Sequence, residues 1–223
     1  MADAGRVLIT GATGGAGSGV LAAFLDAGWR VAAVSRREPP DEPSDVAWVR
    51  ADIVDASAAE RMVADAVAEL GGLDALVCLA GGYSSAKLDE LGWADFEAQF
   101  GMSLRPTVES VLAALPELRR SEAGAIVTIG AQTALKPGRN AGPYAAAKAA
   151  VATWSVSLAA GLKSSGVRVN CVLPGTIDTE ANRASMPDAK RDAWVDPREL
   201  GNLIVYLSSP ASKPLTATAI PIG

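Results

Sequence analysis

Three groups of residues have the types and spacing for chemistry. Tyr144 and Lys148 stand four apart in an alanine-rich stretch, so in a helix they share one face, a turn apart. A phenol with a pKa of about 10 is a poor acid or base at neutral pH. An ammonium one turn away favours the phenolate and is expected to lower that value. Such a pair suits proton transfer to the oxygen or nitrogen of a C=O or C=N group whose carbon receives a hydride. The second group is Thr10-Gly11-Ala12-Thr13-Gly14-Gly15-Ala16-Gly17, between an apolar run and a helical stretch. Glycines there let a backbone approach a pyrophosphate closely, and the free N–H groups and dipole of the following helix stabilise its charge. The third group is Ser35-Arg36-Arg37, where the second apolar run ends. A site for NAD places an acid at that end, on the ribose 2′-hydroxyl. Here the first acid is Glu38, beyond two arginines. A guanidinium clamps a 2′-phosphate that a carboxylate would repel, so these residues predict NADPH (NADP+) over NADH.

The elements that must position these groups are short apolar runs, continuous rather than alternating, as in strands covered on both faces. Seven are predicted, at 6–10, 30–35, 46–50, 74–80, 125–130, 167–173 and 216–222. Helical segments are predicted between most of them, at 15–27, 57–70, 92–120, 142–164 and 197–208. Asp55 and Ser57 offer cap side chains before the second helix, and Gly71-Gly72 closes it. Strands alternating with helices imply an α/β fold, a single doubly wound domain over 1–223 with a seven-stranded parallel sheet and helices on both faces. The polar segment Arg36–Asp45 reads as a surface loop.

Composition narrows the chemistry. The 223 residues are 49% apolar and 20% charged, enough for a sizeable core, and there is no histidine. Ser-His-Asp and Cys-His hydrolysis and imidazole-ligated metal sites are thereby excluded. Two cysteines, Cys78 and Cys171, suit buried thiols in a reducing cytoplasm; with strand five between them they stand out of disulfide reach. A net charge of −5 without a basic block argues against nucleic acid and membrane partners. Met1–Gly5 lacks a basic region and the run Val7–Ile9 is too short for a signal peptide, so a cytoplasmic protein without a metal is expected.

The pattern Thr10-Gly-x-x-x-Gly-x-Gly17, Cys78-Leu-Ala-Gly81, Tyr144-x-x-x-Lys148 and Pro174-Gly175 resembles that of the short-chain dehydrogenase/reductases, over nearly the whole chain. The resemblance implies a Rossmann domain and an NAD(P)H-dependent oxidoreductase. It places Gly11, Thr13, Gly14, Gly15 and Gly17 on the pyrophosphate, and Ser35, Arg36 and Arg37 at the adenosine ribose. It implies Asp52 and Ile53 at the adenine, and Ala80 and Gly81 lining the cleft. Pro174, Gly175, Thr176, Ile177 and Thr179 would meet the nicotinamide, and Lys148 its ribose. Two departures stand out: Ala131 occupies the place of the family's catalytic serine, and Ser103 that of a helix asparagine. Pro106 lacks an N–H and leaves the Met102 carbonyl free.

Within the family, the stretches 74–83 and 178–187, with Trp194 beyond, resemble the quinonoid dihydropteridine reductase branch, which also lacks the serine. That implies hydride transfer to a C=N or activated C=O of a small heterocycle, although Ser35 stands where the branch has an acid. A general ketone/alcohol oxidoreductase, with Gln132 or Thr133 in the serine's role, is the second reading. A regulatory protein that binds NADPH without turnover is the third. Tyr83, Trp93 and Trp194 could wall a flat ligand from the substrate-side segment around 176–195, but suit a core equally. Asn182 and Arg183 could meet polar edges, or serve as a helix cap and an exposed charge. Between Ala145 and Leu162 only Lys148 is charged. A helix apolar all round needs cover on more than one side, so a homodimer or homotetramer through the 142–164 helix is expected.

Overall fold

The computed structural model describes residues 5–38 and 45–223. Residues 1–4, which bear most of the leader argument, and 39–44 of the predicted surface loop lie outside the described residues. The strands are β1 (Arg6–Thr10), β2 (Arg30–Ser35), β3 (Val46–Arg50), β4 (Ala75–Cys78), β5 (Ala125–Ile129), β6 (Arg168–Pro174) and β7 (Thr218–Ile222). The helices are α1 (Gly17–Asp26), α2 (Ala56–Leu70), α3 (Trp93–Leu118), α4 (Gly142–Gly161), α5 (Glu180–Ser185) and α6 (Pro197–Ser208). The strands form one parallel sheet in the order β3-β2-β1-β4-β5-β6-β7, as the alternation of runs predicts.

Continuity of the apolar runs has a direct cause in the two cores. Alternate residues of each central strand point to opposite faces, and both faces are covered. Leu8, Ala32, Val34, Leu76 and Ile126 pack with α2 and α3. Val7, Ile9, Val31, Val77 and Val127 pack with Phe24 of α1 and Leu200 and Ile204 of α6. A polar residue on either face would lose its water, so neither face alternates. Asp55 accepts from the Ala58 N–H at 2.8 Å, and α2 ends at Gly71 with φ +75°; such a cap stabilises a helix by about 1 kcal/mol. Ser57 does not cap; its hydroxyl accepts instead from Arg61.

Differences from the predicted bounds lie where the chain turns toward the site. β4 stops at Cys78, and the Leu79 and Ala80 N–H groups donate to the Thr10 carbonyl and hydroxyl. α1 starts at Gly17 because Gly14 and Gly17 close tight turns onto the Gly11 and Gly14 carbonyls. The short α5 was not expected. Cys78 and Cys171 are buried free thiols that flank Thr128 of β5 in register. No helix among the described residues is long and apolar enough to cross a membrane.

Candidate active site

β2 and β4 lie on opposite sides of β1, so the chain reverses its winding there and a crevice opens at the carboxyl ends of the strands, where doubly wound folds bind ligands. The glycine turn follows β1 in this crevice. Gly11 has φ +70°, and a Cβ on it would stand 2.6 Å from the Ala80 N; only glycine fits between the two loops. Thr13, Gly14 and Gly15 are exposed, and α1 begins without a side-chain cap or an acid in its first turn. These unclaimed first-turn amides suit an anion, and the residues present fit a dinucleotide. Thr179, which caps α5 through the Asn182 N–H, lies over the turn: a Cβ on Gly15 would stand 2.9 Å from its methyl group. The segment Pro174–Thr179 thus crosses the crevice. Its backbone is held by Gly175 on Ile222 and by a parallel bridge between Ile177 and Val195.

At the end of β2, the Ser35 hydroxyl is buried; it donates to the Arg37 carbonyl at 3.0 Å and accepts from the Arg37 N–H at 3.2 Å. It shapes the arginine turn with both bonds, rather than facing a ligand as expected. Arg36 and Arg37 are exposed and make no ion pair among the described residues, whereas Glu38 pairs with Arg50 at 3.3 Å. The nearest acid is therefore turned toward β3. Asp52 is exposed and Ile53 buried just beyond β3, where the Ala51 N–H donates to the Ser35 carbonyl.

α4 carries Tyr144 and Lys148. Pro143 sits in its first turn, where its missing N–H costs nothing. Lys148 is 6% exposed; its ammonium donates to the Ile129 carbonyl at 2.9 Å and lies 6.0 Å from the Tyr144 ring centroid. Burial pushes the ammonium down to about 8. The Tyr144 phenol is not lowered, as expected from its neighbour, but raised, first by burial and then by Tyr83. Desolvation wins because it penalises the phenolate directly, while the ammonium is turned toward Ile129 and is itself poorly solvated. In the unliganded protein Tyr144 is held as an acid. Gly81 is exposed at the mouth, and a Cβ on it would come within 3.3 Å of Lys148 Nζ and 3.6 Å of Ser103 Oγ.

The expected aromatic wall is divided. Tyr83 meets Tyr144 edge-on, with centroids 5.0 Å apart. Trp93 instead stacks on Phe96 in the open. Trp194 sits under Arg191 and lines a cavity of about 490 Å³ with Asp192, Glu199, Leu203 and Ile222, apart from Tyr144. Its neighbour Val195 is drawn into the bridge to Ile177, which fixes it there. Gln132 also serves the scaffold: its amide donates to the Ile222 and Gly223 carbonyls at 2.9 and 2.8 Å. Asn182 lies inside α5, which Thr179 caps instead, and its amide donates to the Ile177 carbonyl; Arg183 is an exposed charge paired with Asp178 at 2.6 Å. Thr133 differs: in the turn after buried Ala131, its hydroxyl oxygen is buried without a partner in the protein.

Gln99 escaped the sequence reading. It is fully buried on α3 and bonds the loop after β4. Its surroundings, Phe96-Glu97-Ala98-Gln99, resemble a solvated helix face. The available signal was its spacing of four from Ser103 and eight from Thr107, which puts three uncharged polar residues on one side of a long helix.

With this geometry in place, comparison with known proteins gives a consistent result. The family model described as short chain dehydrogenase matches residues 5–190. The chain is 27% identical to 2,3-dihydro-2,3-dihydroxybenzoate dehydrogenase of Escherichia coli, covering 95% of this chain and 92% of that one. It is 31% identical to L-fucose dehydrogenase of Oryctolagus cuniculus, covering 92% and 79%. In fold it superimposes with a TM-score of 0.90 on a structure described as ElxO with NADP bound, at 23% identity over 98% and 97% of the two chains. The chain belongs to the short-chain dehydrogenase family and is a nicotinamide-dependent oxidoreductase. These relatives support the family broadly and do not single out its dihydropteridine reductase branch.

Proposed function

We propose that the protein is an NADPH-dependent oxidoreductase that interconverts a secondary alcohol and a ketone on a small hydroxylated molecule. The observation that carries this reading is the raised, half-buried phenol of Tyr144 beside the fixed ammonium of Lys148, at the strand ends that bear the glycine turn. Two relatives named as dehydrogenases of a dihydroxylated carbocycle and of a sugar favour hydroxylated substrates over a pterin. A bound nicotinamide supplies the hydride to the carbonyl carbon. Tyr144 Oη gives its proton to the oxygen as that carbon–oxygen double bond becomes single. Lys148, which has two N–H groups beyond the Ile129 bond, holds the ribose and stabilises the phenolate that results. Exposed Arg36 and Arg37 hold the 2′-phosphate, and Asp52 and Ile53 border the adenine.

In this reading the turn over 132–134 uncovers the buried Thr133 hydroxyl when substrate enters, and that hydroxyl takes the place of the serine that Ala131 replaces, donating to the substrate oxygen. The test is NADPH consumption with a panel of cyclic ketones, keto sugars and quinonoid dihydropterin. Wild type turns over a ketone faster than the pterin, and Thr133→Val lowers kcat by roughly a hundredfold, the loss typical of one oxyanion donor. Faster turnover of the pterin, or an unchanged Thr133→Val, rejects it.

We also propose that the chain works as one nucleotide-binding domain in a cytoplasmic homodimer or homotetramer. Its free buried thiols suit a reducing compartment. α4 buries Ala147, Val151, Ser155 and Ala159 but leaves Thr153, Val156, Ser157 and Ala160 uncovered, a small and uncharged face. Sedimentation should find an oligomer, and Thr153→Arg should reduce it to monomers, because a guanidinium has no room or counter-charge between such faces.

A further inference from the structure

The loop after β4 is held by a side chain that neither the glycine turn nor the Tyr–Lys pair explains. Gln99 of α3 has none of its surface exposed, yet both ends of its carboxamide are engaged. Its Oε1 accepts from the Ser84 N–H at 3.2 Å and the Ser84 hydroxyl at 2.7 Å. Its Nε2 donates to the Gly82 carbonyl at 2.7 Å and to Ser103 Oγ at 3.0 Å. Both donors and both acceptor positions of the amide are used. Gly82 and Ser84 are the residues on either side of Tyr83, whose ring stands against Tyr144 while 62% exposed. Farther along, the Ala86 N–H donates at 3.2 Å to the carbonyl of Asn140, a residue with φ +63° in the segment leading into α4. The loop is therefore pinned on both sides of Tyr83, to α3 and to the approach of α4.

We propose that Gln99 is a positioning residue, which holds the Gly82–Ser84 turn so that Tyr83 stands as a fixed wall beside Tyr144 and sets which substrates reach the phenol. An exposed ring on an unanchored loop would sample several rotamers and shield nothing. A hydrophobic residue at position 99 would fill the same buried space, but it would leave the Gly82 carbonyl and Ser84 N–H without their partner. Met102 lies where a Cβ on Gly82 would go, so the turn is held from below as well. Tyr83 also adds to burial in keeping the Tyr144 phenol protonated, which ties the wall to the reactive group.

The inference rests on the oxidoreductase reading, so its test includes a measurement that needs no turnover. The chain has three tyrosines, Tyr83, Tyr144 and Tyr206, and in an ultraviolet tyrosinate titration of the full chain the difference from Tyr144→Phe isolates the Tyr144 step. Tyr83→Ala and Gln99→Met should both move the Tyr144 step down. With NADPH and paired small and bulky cyclic ketones, both should narrow the preference for the small one about tenfold, mainly through KM, as misplacement of a positioning group does. A Gln99→Met protein that melts earlier but keeps its selectivity and its Tyr144 titration overturns the proposal and leaves Gln99 a stabilising residue only. If Gln99→Met does not fold, Tyr83→Ala on the exposed loop decides: unchanged selectivity and titration overturn it equally. If wild type reduces no ketone, the functional reading fails, while the titration still judges the link between Gln99, Tyr83 and Tyr144.

Discussion

Tyr144→Phe should lower turnover by roughly a hundred- to ten-thousandfold, the range a positioned general acid supplies, while NADPH affinity stays within a few-fold. The ring, its burial and its edge contact with Tyr83 survive the change; only the proton is lost. When the carbonyl carbon takes hydride and no proton is given, the substrate oxygen carries a full charge in a pocket that has already driven the phenol upward. Single-turnover kinetics with bound NADPH separate this from a binding defect: the burst of cofactor oxidation should disappear, whereas the titration of binding should not. The pH dependence has a definite sign. Reduction needs the protonated phenol and the protonated ammonium. Tyr144 is raised, so the first group to lose its proton as pH rises is Lys148, at about 8. In the reductive direction kcat/KM should be flat through neutrality and fall above that point. In the oxidative direction the phenolate is the active form, so the rate should climb with pH. A reductive profile that holds level well past pH 9, or a Tyr144→Phe protein with wild-type rate, would sink the assignment.

Removing the arginines after β2 should change the cofactor rather than the chemistry. Each guanidinium bound to a phosphate makes charge-assisted bonds of about 1.5–3 kcal/mol, so Arg36→Ala or Arg37→Ala should raise the KM for NADPH by roughly ten- to a hundredfold. The KM for NADH should move little, since no 2′-phosphate is present to lose. Both residues are exposed and make no ion pair among the described residues, so no folded-state partner is left behind to confuse the measurement. The double variant Arg36→Ala/Arg37→Ala should prefer NADH. Equal losses with both cofactors would mean that the arginines do not read the 2′-phosphate, and the assignment to NADPH would fall.

Much of this protein was legible without coordinates because the relevant information is local. A strand buried on both faces is apolar along its middle rather than alternating, so Arg30–Ser35, with its run Val31–Val34, could be bounded to the residue. Glycines at a turn and a Tyr–Lys pair one helical turn apart are short-range patterns, and they led to the family. Asp55 and Gly71 marked the ends of α2 for the same reason. The contacts between distant segments were not legible. Gln99 and Gly82 are separated by seventeen residues, and Gln132 and Ile222 by ninety. A polar side chain on a helix carries no mark of which loop will descend onto it. Trp194 and Tyr83 were therefore placed in one wall, although the fold puts Tyr83 against Tyr144 and Trp194 in a cavity that neither tyrosine lines.

The sign of the Tyr144 shift belongs to the same division. Sequence spacing brings an ammonium within one turn of the phenol, and from that alone a lowered pKa follows. Whether the ammonium faces the phenol or a carbonyl, and how much water either retains, depends on β5, on the loop after β4 and on Tyr83 together. The order of residues along the chain by itself determined the sheet, the glycine turn after β1 and the spacing that puts Tyr144 and Lys148 on one helix face, since each is encoded within a few neighbours. Tertiary structure alone decided the pair's protonation, the partner of the nearest acid, Glu38, and which polar groups remain available to a ligand. Those are properties of solvation and long-range contact, which exist only once the strands have closed over the helices.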